Sequence, residues 1–400
     1  MDDVDLAARL HRASDSKILF LIADGLGGLP GEHRGSELEE AHTPHLDRLA
    51  AAGTTGMLTP VAPGITPGSG PGHLALFGYD PLAYDIGRGV LAALGVGFEL
   101  QPEDVAARGN FCTVDADGNV TDRRAGRIDS DQGRRLVEKL RQIDIDGVDV
   151  FVEPVKQYRF LLVLRGEGLG GGVADTDPYR TGVPPRAPQG RDENSNAAAE
   201  AVAAFVDQAR RLLSDEEPAN MILLRGFDSL PRMPSMGERY GVNACAVAGY
   251  PMYRGVARLL GMQVAECGSD FSSQVEALQR LWPQHDFFFL HYKATDSAGE
   301  DGDFDAKVAA IEELDAHLPR ILELHPDVLV VTGDHSTPAR LASHSWHPVP
   351  LLISAASARR DDVQRFGETG CARGGLANLA ARQLMTVALA HAGRLAKYGA

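Results

Sequence analysis

The chain has 400 residues, is 44% hydrophobic and carries a formal net charge of −16. That length buries a sizeable core, and the acidic balance excludes nucleic acid, whose phosphates need a basic footprint. Four cysteines (Cys112, Cys245, Cys267, Cys371) form no CxxC pair, which excludes a zinc knuckle or disulfide framework and fits a reducing cytoplasm. Small anionic substrates stay open, because a local arginine cluster or a metal overrules the global field. The acidic start MDDVDLAARL does not read as a signal peptide. No apolar run nears the ~20 residues that span a bilayer.

In chain order, KILFLIADGLGG (17–28) reads as a buried strand stopping at Asp24-Gly25. HTPHLDRLAAAG (42–53) reads as a helix with Thr43 at its N-cap, Pro44 at N1 and Gly53 past its end. The Gly/Pro-rich stretch 60–81 reads as a long loop, holding Ser69 flexibly, that leads into a short helix at HLALFG. From about 96 to 218 short strands alternate with arginine-rich turns, followed by a helix over 196–213. This predicts an inserted domain at 96–218, with residues 1–95 and 219–400 forming one discontinuous core domain. Strands follow at MILLRG (221–226), ACAVAG (244–249), HDFFFLHYKATD (285–296), DVLVVTGDHSTP (327–338) and HPVPLLIS (347–354). A helix is predicted over 303–324, with apolar residues at the 3–4 spacing.

Three of these strands end in metal-type ligands: Asp24, Asp296, and Asp334-His335. A parallel α/β sheet delivers such strand ends to one edge, where ligands bind. In TDSAGEDGDFDAK (295–307), Asp296 and Glu300 share a helical face. Two bare carboxylates there repel by roughly 0.2–0.5 kcal/mol, and a cation reverses that. Asp303 would start the next helix, leaving Asp301 and Asp305 solvated. In GSGPGH, Ser69 suits attack on phosphorus, but a serine needs a base or a metal. Only His73, four residues on, is adjacent.

Together LIADGLGG, HTPHLDRLAAAG, PGSGPGHLALFGYDP, DRRAGRI, TDTDP, HYKATDSAGEDGDFDAKV, VTGDHSTP and HSWHPVP closely resemble the archaeal-type 2,3-bisphosphoglycerate-independent phosphoglycerate mutases of the alkaline phosphatase superfamily. The resemblance implies a doubly wound, mostly parallel α/β domain with a smaller inserted α/β domain. It implies two divalent ions, Mn²⁺ foremost, with Mg²⁺, Co²⁺ or Zn²⁺ as alternatives, and no 2,3-bisphosphoglycerate. Asp24, Ser69, Asp334 and His335 would hold one ion. Asp296, residue 300 and His344 would hold the other, with His347 a competitor for the last place. Ser69 would pass the phosphate between the 3- and 2-positions of glycerate, with Lys293 neutralising charge. Arg124, Arg127, Arg159, Arg180 and Arg225, backed by Arg88 and Arg108, would grip the substrate as a lid. Asp175 and Asp177 would take protons from its hydroxyls. The implied protein is cytoplasmic, without nucleic-acid or membrane partners, and compatible with a homo-oligomer.

The chain departs from the family pattern at three places. It has GEDG where GHDG is usual, putting Glu300 in place of histidine; SGPGH where SDTAH is usual; and Tyr158-Arg159 for His-Arg. Two other readings stay open: a metal-dependent phosphatase or phosphonate hydrolase of the same superfamily, and an inactive binding relative with a weakened second metal site.

Overall fold

The computed structural model describes residues 3–84 and 86–399. The chain forms two compact units, Met1–Asp85 with Met233–Ala400, and Ile86–Arg232. In chain order the strands are β1 (Ile18–Ala23) and β2 (Thr54–Thr59), then β3 (Val105–Val114), β4 (Val120–Asp122), β5 (Asp149–Lys156), β6 (Arg159–Arg165) and β7 (Met221–Ser229). There follow β8 (Ala244–Val247), β9 (Gln263–Val264), β10 (Phe287–Tyr292), β11 (Val328–Thr332), β12 (Val349–Ala355) and β13 (Asn378–Ala380).

The first unit is built on an eight-stranded sheet in the order β13-β2-β12-β11-β1-β10-β8-β9. From β11 to β9 every pairing is parallel, while β12 runs antiparallel to both neighbours. β1, β10 and β11 are buried along their whole length. That is why they read as unbroken apolar runs rather than alternating ones. Phe287, Phe288 and Phe289 are fully buried, and each contributes about 1.5–3 kcal/mol by leaving water. They fix the strand that ends just before Lys293; Asp296, expected at the end of this strand, lies instead in the helix Ala294–Glu300 that follows it.

The second unit holds a five-stranded antiparallel sheet, β4-β3-β6-β5, with β7 also paired to β3. The unit boundaries therefore fall outside the expected 96 and 218. MILLRG is not the resumption of the core: it lies in β7, whose register runs along β3 from Met221 to Ser229. The helix Arg88–Val96 also belongs to this unit. A Cβ on its Gly89 would lie 2.1 Å from the Ala106 carbonyl oxygen, so only glycine permits that approach to β3.

The helix Pro44–Ala52 starts at Thr43 as expected, but the Thr43 side chain makes no capping bond. The helix Asn196–Leu213 matches its predicted span, and Phe304–Leu322 is capped by Asp303, whose carboxylate accepts from Ala306 N at 2.9 Å. Among the described residues no helix is long and apolar enough to cross a membrane.

Candidate active site

The sheet order sets the ends of β11, β1 and β10 side by side, so Asp334-His335, Asp24 and Asp296 meet at one edge. His335 Nε2 lies 3.3 Å from Asp24 Oδ1 and 3.2 Å from Asp334 Oδ2, all three side chains being buried. Ser69 Oγ lies 3.1 Å from the same nitrogen. Ser69 is not in a flexible loop: it is the first residue of the helix Ser69–Leu76. Gly72, where the resemblance expects alanine, lets this helix close on the edge, because a Cβ there would sit 2.6 Å from the Asp334 carbonyl oxygen. His73 is not the serine's base. Its Nδ1 lies 2.8 Å from the Ser69 backbone oxygen and 3.1 Å from Asp334 Oδ2.

The hydrogen bonds fix the His335 tautomer. Thr337 Oγ1 donates to Asp296 Oδ1 at 2.6 Å, so its oxygen accepts from His335 Nδ1 at 2.9 Å. Nε2 is then the unprotonated nitrogen and presents its lone pair to Ser69, Asp24 and Asp334. Burial pushes His335 down, against the pull of Asp334 and Asp24, which keeps the ring neutral. Asp24 is held well below the usual carboxylate range: burial opposes ionisation, and the His291 hydrogen bond with the Lys293 charge outweighs it.

Asp24 Oδ1 and Asp334 Oδ2 are buried oxygens without a hydrogen-bond partner. Orphaned buried carboxylate oxygens are costly unless something else pairs them. Two groups of donor atoms within 4.8 Å of one another occur here: Asp24, Asp334 and His335, and Asp296, His335 and His344. Carboxylate oxygen with neutral imidazole suits a divalent cation, and the residues present fit one. Since Nε2 faces Asp24 and Asp334 while Nδ1 is held by Thr337, His335 falls to the first group.

His344 completes the second group. Its Nε2 lies 3.6 Å from Asp296 Oδ1 and 3.5 Å from Glu300 Oε1, and its ring stacks on His335 with centroids 3.7 Å apart. His347 Nδ1 instead meets Ser345 Oγ at 3.1 Å. Glu300 belongs to neither donor group, and its side chain is 55% exposed. Asp301 and Asp305 are exposed, as expected.

Burial alone would lower the His344 pKa, but the bonds to Glu300 and the Pro67 carbonyl, with the Asp296 charge, raise it to about 9. This raised value stabilises the metal-free fold fully below the ordinary 6.5, and the contribution is lost as pH rises through about 9. Glu300→Gln is expected to return the His344 titration towards its ordinary value, read by histidine NMR on metal-free protein. An unmoved midpoint would mean that Glu300 does not hold the proton there.

Lys293 Nζ bridges the two groups, donating to Asp24 Oδ2 at 3.0 Å and Asp296 Oδ2 at 2.5 Å. In the second unit, Arg108 on β3 lies opposite Arg225 on β7, and Arg159 on β6 lies opposite Asn110. Residues 108 and 110 share one face of β3, away from Ala107 and Phe111 in the core. The Nε atoms of Arg108 and Arg159 are buried and without a hydrogen-bond partner. Burial and then the charges of Arg225, Arg88 and Arg159 push Arg108 down to about 10. Crowded guanidiniums with unused donors form a ready anion site. Arg124, Arg127 and Arg180 are exposed. Asp177 is buried and committed to Arg123 Nε and Nη2 at 2.9 and 2.8 Å, and to Arg225 Nε at 3.4 Å. Asp175 accepts from Gly226 N at 2.8 Å and from the Tyr179 hydroxyl. Both carboxylates are thus engaged by groups of the second unit.

Sequence reasoning missed Tyr253, His291, Thr337 and Lys307. Only Lys307 left a signal, as the single lysine in the acidic stretch. It is fully buried, and its Nζ donates to the carbonyls of Gly25 (2.9 Å), Gly27 (3.0 Å) and Thr337 (2.8 Å). Gly25 sits at φ +64, and a Cβ there would lie 2.7 Å from Asp296 Oδ1. The turn after Asp24 therefore needs glycine twice over.

An edge of this kind belongs to α/β enzymes that set a serine against divalent-cation donors to act on anionic substrates. Comparison with known proteins narrows the class. The family model described as 2,3-bisphosphoglycerate-independent phosphoglycerate mutase matches residues 50–220. A Thermus thermophilus protein named "Probable 2,3-bisphosphoglycerate-independent phosphoglycerate mutase" is 50% identical over the whole of both chains. An Aquifex aeolicus protein of the same name is 47% identical, covering 99% of this chain and all of its own. Among solved structures, the cofactor-independent phosphoglycerate mutase from Thermoplasma acidophilum is 31% identical with TM-score 0.75, covering 94% of this chain and 100% of its own. A Pyrococcus horikoshii protein gives 29% and 0.82, covering 96% and 99%. The chain belongs to the 2,3-bisphosphoglycerate-independent phosphoglycerate mutase family.

Proposed function

We propose that the chain interconverts 3-phosphoglycerate and 2-phosphoglycerate through a phosphoserine at Ser69, without 2,3-bisphosphoglycerate. The observation that carries this reading is Ser69 Oγ, 3.1 Å from the lone-pair nitrogen of His335, beside two orphaned buried carboxylate oxygens. Asp24, Asp334 and His335, with Ser69, would hold one divalent cation, and Asp296, His344 and Glu300 the other. Such ions supply charge neutralisation to phosphoryl oxygens and lower the pKa of a nearby hydroxyl.

Ser69 Oγ attacks phosphorus, loses its proton, and the ester oxygen on C3 leaves as a hydroxyl. The glycerate turns, its 2-hydroxyl attacks the phosphoserine and gives up its proton, and Ser69 regains its hydroxyl. Bonds and protons balance over the cycle. Lys293 bridges Asp24 and Asp296 and keeps them in register. Arg108, Arg159 and Arg225 bind the acid's anionic groups, and Asp177 holds Arg225 in place. Their grip on glycerate between the two steps is what separates a mutase from a phosphatase.

The test is a coupled assay of 3-phosphoglycerate conversion on metal-stripped protein, with Mn²⁺, Mg²⁺, Co²⁺ or Zn²⁺ restored and free phosphate counted in parallel. Isomerisation without phosphate release is the expected result. Phosphate release alone would make the chain a hydrolase, and no product with any ion would make it an inactive relative.

Glu300 adds a negative charge where the family pattern has histidine, so the second site should favour hard ions such as Mn²⁺ and Mg²⁺ over Zn²⁺. Glu300→His is expected to shift the order of restored activity towards Zn²⁺. An unchanged order would remove Glu300 from the ligand set.

A further inference from the structure

Tyr253 lies in the helix Pro251–Leu259, far in sequence from every strand end that forms the site. It is fully buried. Its ring stacks on His291 with centroids 3.8 Å apart and tilts against His73 at 4.6 Å. Its hydroxyl donates to Asp24 Oδ2. The same oxygen also takes Lys293 Nζ at 3.0 Å and His291 Nε2 at 3.2 Å. Three donors converge on Oδ2, and Oδ1 has none. The carboxylate is thus locked in rotation, with one oxygen saturated and the other turned to His335 Nε2.

Lys293 Nζ also lies 3.2 Å from the Tyr253 hydroxyl, so the tyrosine and the lysine meet each other as well as Asp24 Oδ2.

We infer that Tyr253 is a positioning residue for this reaction: its hydroxyl, with His291 and Lys293, fixes Asp24 as a ligand through Oδ1 alone. The inference rests on the two-cation reading above. Ligand-orienting hydrogen bonds of this kind are worth 10–100-fold in metal affinity, by order of magnitude.

Tyr253→Phe keeps the ring packing and removes only the hydroxyl. The test is calorimetric Mn²⁺ titration of metal-stripped wild type and variant, with steady-state kinetics alongside. The expected result is one of two Mn²⁺ sites weakened about tenfold, with kcat reduced and KM for phosphoglycerate unchanged. A purely structural tyrosine would lower the melting temperature and leave the ratio of the two affinities alone. His291→Leu is the second variant: it removes another donor to Asp24 Oδ2 and should weaken the same Mn²⁺ site, leaving the other unchanged. Two unaltered affinities and an unaltered kcat in Tyr253→Phe would overturn the inference. Wild type that binds no Mn²⁺ would overturn the two-cation reading, and this inference with it.

Discussion

Ser69→Ala is expected to abolish isomerisation, with kcat lowered on the order of 10⁴-fold or more, the scale seen when a covalent nucleophile is deleted. The fold should survive. The Ser69 side chain caps nothing, since the helix Ser69–Leu76 begins at Gly68 without a side-chain capping bond. Alanine is well tolerated in a first helical turn. Asp24, Asp334 and His335 stay in place, because the bonds that orient them come from His291, Lys293, the Gly25 backbone N–H and Thr337. The variant should therefore still bind Mn²⁺, with one oxygen fewer at one site. Labelled phosphate from substrate should appear on the wild-type protein and not on the variant. Turnover within tenfold of wild type would exclude passage through Ser69.

The strands that build the site were legible because they are buried on both faces. β1, β10 and β11 carry apolar residues without alternation and stop abruptly at Asp24, Lys293 and Gly333-Asp334, so their ends announced the edge. The helix 196–213 was legible through its small-residue and apolar periodicity. What failed did so for tertiary reasons. β7 looks like any core strand, because an apolar run does not say which sheet it joins; its register along β3 does. Ser69 looked like loop because Gly70, Pro71 and Gly72 are poor helix formers. Gly72 lets the helix approach the Asp334 backbone there. Thr43 had the right identity for a cap and the wrong geometry, with ψ 61 rather than an extended value.

Individual arginines carried the least information. Arg108, Arg159 and Arg225 become a set only through strand pairing, at positions separated by up to 117 residues. Arg124, Arg127 and Arg180 stand in motif-like turns and yet are exposed. A motif places a residue near a site, whereas the pleat decides which face it occupies. Tyr253 and His291 had no local signal at all, because what matters about them is one shared oxygen on Asp24.

Lys307→Met is expected to destabilise the first unit by about 3 kcal/mol, roughly a 6–12 °C fall in melting temperature for a unit of this size. Methionine matches the length of lysine and donates nothing. The Thr337 carbonyl loses its 2.8 Å bond, and the Gly25 and Gly27 carbonyls keep only the Thr337 backbone N–H, at 3.3 and 3.0 Å. An unsatisfied buried acceptor costs about 1–3 kcal/mol, and three weakened ones would exceed the expected loss. The difference is the ammonium's own desolvation, which the substitution removes. Burial pushes Lys307 down despite the charges of Glu37 and Glu368, the sign of a cation solvated mainly by carbonyls. Those carbonyls lie on the turns after β1 and β11, which carry Asp24 and, through Thr337, His335 and Asp296. Loosening them should also weaken Mn²⁺ binding at both donor groups together, unlike Tyr253→Phe, which should act on one. Thermal melting of metal-free protein reads the first effect and calorimetric titration the second. A melting temperature within about 2 °C of wild type would show that the three carbonyls find other partners, and that the lysine does not tie the two turns together.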